Sequence, residues 1–321
     1  MSAPPSRTDL AGTPTVATYK IAIGALYDYV AGLLGNGTAT IATSAEQIKA
    51  REYLGVGATG FKNRLVNPEF KIDQENAGAL ISIPVSASVK YLVDQWYGLS
   101  TGATITAQQI AGINSREFSL RFTGATSNTG LTLGHRIESN SCFDLKNQTV
   151  TVSFKSKASI ARVVTWTASY ATVKDNFTAV TQIATGTLNI TTSVADFNFS
   201  FNAGANAGNG LLITFATTAL LASATIDFDQ MQLEKSSVPT EFQNRSEQQE
   251  LAMCQRYWLS LQCVVNATGQ SYTISFPVTM RTTPTVTGGG AGYSNQYLDE
   301  KSVTPLQTTR GLAVLAFNAR L

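Results

Sequence analysis

An antiparallel β-sandwich, flanked by a helical N-terminal segment and a C-terminal β segment, is the fold this chain predicts. The first observation is clean alternation. In EFSLRF (Glu117 to Phe122) the residues Phe118, Leu120 and Phe122 share a face, and in TVTVSFKSKA (Thr149 to Ala158) so do Val150, Val152 and Phe154. FNFSF (Phe197 to Phe201) and LLITF (Leu211 to Phe215) repeat the pattern. Strands with one apolar face belong to antiparallel sheets, because strands of a parallel α/β sheet are apolar on both. Second, no helix of useful length separates them. Third, only 14% of the 321 residues are charged while 43% are hydrophobic, the balance of a Thr-, Ser- and Asn-rich β protein with a polar rather than ionic surface.

Taken in order, residues 1–60 form the first region. An irregular Pro-, Thr- and Ala-rich arm leads to Thr18, after which Ile23, Leu26, Tyr27, Val30 and Leu34 recur at helical spacing up to Gly35. Ser44 and Gln47 stand in capping-box spacing before a second, short helix carrying Ile48 and Leu54 and stopped by Gly55. Two such helices bury little alone, so their apolar faces need copies of themselves, a larger assembly or the sandwich. GVGATG (Gly55 to Gly60) is a linker.

The sandwich spans residues 61–243, from NRLVNPEF (Asn63 to Phe70) to TIDFDQMQLEKSSVPTEFQ (Thr225 to Gln243). In the closing strand Ile226 and Phe228 share one parity, Met231 and Leu233 the other. A bulge near Asp229 and Gln230 restores the inward direction and turns Asp227 and Asp229 outward. Residues 244–321 form the third region. Ser246 and Gln249 cap a connecting helix to about Arg256, and a strand follows with Tyr272, Ile274, Phe276, Val278 and Met280 on one face. Pro277 makes that strand an edge or an irregularity. A loop, GGGAGY (Gly288 to Tyr293), precedes a final strand over Gly311 to Leu321. So small a β region is marginal alone, which favours association around an axis.

The composition narrows function. A net charge of +2, with Lys and Arg scattered, leaves no footprint for nucleic acid or an anionic membrane. The N-terminus lacks the apolar core of a signal peptide, and no run approaches a membrane span, so folding in a cytoplasm is expected. Cys142, Cys254 and Cys263 lack metal spacing and suit reduced thiols without a disulfide. The single histidine, His135, excludes a multi-histidine zinc site, and within GHRIE it fits a structural role better than a catalytic base. Asp227 and Asp229, roughly 7 Å apart by strand spacing, offer a carboxylate pair for glycoside hydrolysis, although acids on short strands are mostly solvated or ligate calcium.

LVNPEF, HRIES (His135 to Ser139), DLKNQTVTVSFKSKAS (Asp144 to Ser159), MQLEKSSVPTEF (Met231 to Phe242) and ELAMCQRYW (Glu250 to Trp258) together resemble the carbohydrate-binding-like module of bacteriophage tail fibres. PPSRTDLAGTP and ISFPVTMRTTPTV (Ile274 to Val286) are similar to the attachment and C-terminal parts of such fibres. The resemblance implies a jelly-roll sandwich in a homotrimeric virion component, made in the host cytoplasm. Its N-terminal segment would dock on other phage tail proteins, and it would bind a bacterial surface polysaccharide without chemistry or cofactor. The alternatives are a glycan-degrading tail spike and a virion decoration or collar protein. Many related sugar-binding jelly rolls carry an acidic residue directly after the NxxF opening, where it helps hold calcium; here Lys71 follows Phe70. Glu69, Asp227 and Asp229 are the remaining calcium candidates. Sugar binding uses aromatic faces. The resemblance places Trp96 in a buried strand, and Trp258 suits a domain junction. Trp166 with Tyr170, and Tyr293 and Tyr297 beside the Gly-rich loop, are the candidate carbohydrate contacts.

Overall fold

Alternating apolar side chains fold into two six-stranded antiparallel sheets that face each other. The computed structural model describes residues 62–114, 116–265, 273–288, 293–307 and 311–321. The helices and linker expected within residues 1–60 lie outside the described residues. One sheet has the order β1 (Ile81–Ile83), β4 (Ile105–Ala111), β5 (Phe118–Thr123), β12 (Thr225–Glu234), β7 (Thr149–Ala158), β10 (Ala195–Asn202). The other runs β2 (Lys90–Val93), β3 (Trp96–Thr101), β6 (Gly130–Ile137), β11 (Leu211–Thr218), β8 (Arg162–Val173), β9 (Asn176–Ile190). From β5 onward the chain repeatedly crosses between the sheets, as in the expected jelly-roll sandwich.

The inward faces meet in an aromatic core. Phe154 lies 5.1 Å from Phe215, Phe215 5.9 Å from Phe228, and Phe228 6.3 Å from Phe122, ring centre to ring centre. Burying each such ring stabilises the fold by up to about 3 kcal/mol. The expected bulge is present: the register of β12 against β7 shifts between Asp229 and Gln232, and Gln230 takes the left-handed φ of 50°.

The opening NRLVNPEF segment runs beside the second half of β12, where β5 no longer pairs. Arg64 N donates to Leu233 O at 2.8 Å and Met231 N to Pro68 O at 2.9 Å, while Asn63 Oδ1 accepts from Leu233 N at 3.1 Å. Asn67 then ties the turn together. Its side chain bonds the carbonyls of Ile72 and Asp94 at 2.7 and 3.0 Å, and its own carbonyl accepts from Trp96 Nε1 at 2.8 Å. Trp96 is fully buried against Phe70, as expected for a core residue.

Helix α1 (Ser139–Cys142) is a single turn between β6 and β7. Helix α2 (Glu247–Gln255) has the reciprocal Ser246–Gln249 capping box that the spacing predicts. Beyond it lie two three-stranded sheets: β13 (Trp258–Val265), β18 (Gly311–Asn318), β15 (Thr285–Gly288), and β14 (Ile274–Ser275), β17 (Ser302–Gln307), β16 (Tyr293–Leu298). The long strand expected over Tyr272 to Met280 is corrected: Tyr272 lies outside the described residues, and among the others only Ile274–Ser275 pairs, ending before Pro277, which carries no N–H for a ladder. The alternation nevertheless serves the core, since Phe276 and Met280 are buried with Leu315 and Phe317.

This C-terminal region is fastened to the sandwich by polar clamps. Arg256 grips Glu138 through both carboxylate oxygens, at 2.8 and 3.1 Å, and Tyr257 Oη donates to Glu138 Oε2 at 3.0 Å. Arg320 pairs with Glu75 at 2.5 Å, and Tyr91 Oη donates to Leu321 O at 3.2 Å. Trp258 sits at this junction: it is buried, its carbonyl accepts from Gln74 Nε2, and Arg320 lies 5.7 Å from its ring centre.

Candidate functional site

Beside the bulge in β12, the polar outer face of the first sheet deepens into a cleft of about 610 Å³. On β7 and β10 the outward residues are Ser153 and Lys155, paired in register with Asn198 and Asp196. The floor between them and β12 holds Gln230, thrown out of the ladder by its left-handed backbone. One wall is the turn after β4, carrying Asn114 and Arg116, closed by a Gly112 N bond to Glu117 O at 3.2 Å and an Ile113 N bond to Ser119 Oγ at 2.9 Å.

The other wall is Pro239 to Phe242, held by the buried carboxylate of Glu234. Thr240 donates to it from N at 2.8 Å and from Oγ1 at 2.7 Å. Lys62 Nζ adds a bond to Glu241 O at 2.6 Å. This wall is therefore fixed before any ligand arrives, which lowers the ordering cost of binding.

The polar groups of the cleft are poised for hydroxyls. The backbone of Gln230 is tucked into the bulge, but its side-chain amide opens to the cleft and has no hydrogen-bond partner among the described residues. The side chains of Asn114 and Asn198 likewise make no hydrogen bond among the described residues and line the same space. Arg116 lies over Phe242, 5.6 Å from guanidinium carbon to ring centre, and pairs with Glu69 at 3.6 Å. Amides that both donate and accept, beside an aromatic wall, are the groups that hold a polyol.

The aromatic candidates do not converge here. Trp166, expected as a sugar platform, is corrected: it is 8% exposed and stacks at 3.9 Å and 9° on Phe199 in the sandwich core. Its indole fits because Gly186, opposite on β9, has no Cβ; one would come within 2.9 Å of the ring. Tyr170, four residues along β8, packs half-buried against the same core. Tyr297 on β16 is 55% exposed and donates to Asp299 Oδ2 at 2.8 Å. Tyr293 begins that strand, and its side chain lies outside the described residues.

The acidic candidates separate as well. Asp227 and Asp229 do turn away from the core, but they are not solvated as expected, being 1% and 0% exposed. Asp227 is held by Arg121 through bonds of 2.7 and 2.8 Å, and Asp229 accepts from Ser119 Oγ at 2.9 Å. Burial pushes the Asp229 carboxyl up to about 6, and burial also raises that of Glu69, against the opposing pull of Arg116. Among the described residues no three His, Cys, Asp or Glu side chains gather as a metal site. His135 is buried beneath Trp96, with Nε2 3.2 Å from Val66 N, and desolvation holds its pKa down at about 3. Cys142 and Cys254 are buried free thiols.

Asn114, Arg116, Asn198, Gln230 and Phe242 were not singled out from the sequence. The available signal was the parity break in β12, which marks where the sheet must eject a side chain, next to the SSVPTEF turn.

No family model and no curated protein matches the chain. Among solved structures, the carbohydrate-binding module TmCBM61 in complex with β-1,4-galactotriose is 14% identical, with 55% of this chain and 99% of that one covered and a TM-score of 0.36. The family 11 carbohydrate-binding module of Clostridium thermocellum, in complex with a β-1,3-1,4-mixed-linked tetrasaccharide, is 14% identical over 47% of this chain and 98% of that one, with a TM-score of 0.34. The enzymatically active domain of bacteriophage CBA120 tailspike protein 4 is 8% identical over 54% of this chain and 21% of that one, also with a TM-score of 0.34. At these identities and scores the likenesses assign the chain neither a family nor a residue role.

Proposed function

We propose that the protein is a structural and adhesive component of a phage tail fibre whose sandwich binds a bacterial surface glycan without chemistry. The observation that carries the glycan-binding reading is the set of amides without protein partners, Gln230, Asn114 and Asn198, that open onto the cleft between Arg116 and the 239–242 wall. The tail-fibre assignment, with a homotrimer and an N-terminal segment docked on other tail proteins, rests on the ordered strings from His135 to Trp258 and on PPSRTDLAGTP. Trimerisation suits such a site, since weak single-site contacts become useful when several copies engage one surface. Asp227 and Asp229, each committed to a neighbouring side chain, do not support a hydrolytic pair.

The test is binding of the purified protein to whole bacterial cells and to their extracted surface polysaccharide, together with its solution mass. Asn198→Ala and Phe242→Ala are expected to weaken binding about tenfold or more, whereas Thr187→Ala, on the outer face of the second sheet, leaves it unchanged. A folded protein that binds no cells across a broad host panel overturns the adhesive reading. A monomer at micromolar concentration overturns the trimer.

A further inference from the structure

The charge arrangement of the cleft selects among saccharides. Resting on the reading above that the cleft binds a glycan, we infer that its ligand is an uncharged, hydroxyl-rich sugar rather than a uronic acid or other anionic one. Lys155, the cationic group on the β7 side, is already matched by Asp196 at 2.5 Å. Arg116, on the opposite wall, stands 3.6 Å from Glu69. Glu241 is the exception: its exposed carboxylate has no ion-pair or hydrogen-bond partner among the described residues and lines the cleft.

An anionic sugar entering here would meet one unmatched negative charge and two cations already committed. It would have to separate an ion pair to gain one of its own, and like charges brought together across an interface oppose binding. A neutral sugar meets no such conflict. Its hydroxyls both donate and accept, as do the free amides of Gln230, Asn114 and Asn198, and a planar amide can engage two adjacent hydroxyls at once. Phe242 offers an apolar wall for the C–H face of a ring. The volume of about 610 Å³ lies within the range of small-ligand sites.

The test uses oligosaccharides released by mild hydrolysis from bacterial surface polysaccharide and separated by anion exchange into neutral and acidic pools. Each pool is titrated against the full chain by saturation-transfer NMR. The neutral pool is expected to bind about tenfold more tightly than the acidic one. Glu241→Lys, at an exposed position where folding is not at risk, is expected to narrow or invert that preference. Gln230→Ala is expected to weaken neutral binding, and Asn198→Ala, on an exposed strand position, repeats that test if the bulge variant fails to fold. Tighter binding of the acidic pool, or a preference that Glu241→Lys leaves unmoved, overturns this inference while glycan binding stands. Binding of neither pool overturns both.

Discussion

The sandwich and the C-terminal pair of sheets use the same alternating strands but are held together by different means. The sandwich closes over a continuous aromatic core in which Phe122, Phe154, Phe215 and Phe228 touch in sequence. The C-terminal sheets share a core of Leu259, Phe276, Met280, Val303, Leu315, Phe317 and Ala319, too small to offset much chain entropy alone. They depend on the clamps at Glu138, Glu75 and Leu321 and on the capped helix α2. A large core is self-sufficient; a small one borrows stability through its joint.

The most direct way to break this contrast is a matched pair of truncations. Phe228→Ala is expected to cost about 3–5 kcal/mol and to lower the unfolding midpoint of the whole described unit. Phe317→Ala removes a ring of similar size but is expected to release the C-terminal sheets first, leaving amide protection in β7, β8 and β11 near its original level. Hydrogen exchange with denaturant titration separates the two. If Phe317→Ala depresses protection throughout the sandwich, the regions form one cooperative unit and the contrast fails.

The joint itself comes next. Arg245 and Glu250 form an ion pair at 3.1 Å, both side chains buried, and Glu250 Oε1 also accepts from Asn67 N at 2.5 Å. Arg245 in turn donates to the carbonyls of Asn63 and Leu65, so the pair ties α2 to the opening turn of the sandwich. Glu250→Ala leaves the Arg245 cation buried without that carboxylate and is expected to cost about 3 kcal/mol. A loss below about 1 kcal/mol by denaturant titration removes the pair from the joint.

Much of this architecture was legible in the sequence, and the parts that were not share a cause. The inward faces of β5, β7, β10 and β11, the bulge at Gln230 and the Ser246 cap are local patterns, written within a dozen residues. Trp166 misled because its burial depends on Gly186 and Phe199, which arrive from other strands; its own strand shows apolar residues on one face and β-branched residues on the other. The cleft was invisible for the same reason. Its groups come from five separated stretches, near residues 114–116, 153–155, 196–198, 230 and 239–242, and no spacing within any one of them announces a site. Pro277 signals an edge or an irregularity, and the strand in fact stops before it, yet alternation still places Phe276 and Met280 in a core without a ladder.

Acid sharpens the contrast, because His135 belongs to the sandwich alone. Its folded pKa of about 3 lies below the ordinary value of 6.5, so between these pH values the unfolded chain binds a proton that the folded one refuses. Stability from this group is full above pH 6.5 and falls as the pH drops toward 3. Asp94 and Asp229 work the other way: burial raises both to about 6, so protonation below that value relieves them. His135→Gln isolates the first effect. The stability difference between the native protein and the variant is expected to shift against the native protein by about 3 kcal/mol from pH 7 to pH 4. A difference that stays constant with pH shows that the imidazole does not titrate with unfolding.

The smallest effect tests whether the joint tolerates a frayed helix. Ser246 Oγ accepts from Gln249 N at 3.4 Å, and Gln249 Oε1 accepts from Ser246 N at 3.1 Å, so two of the N–H groups at the start of α2 are satisfied reciprocally. The cap lies in solvent, where water replaces lost bonds cheaply, and the longer of the two contacts is the one that Ser246→Ala removes. The expected loss is therefore about 0.5–1 kcal/mol, at the low end for a cap. That loss should appear as faster exchange of the first-turn amides of α2 and of the C-terminal sheets beyond it, with β7 and β11 unchanged. Unchanged exchange in both α2 and the sheets would mean that Arg245 and Glu250 anchor the helix without its cap.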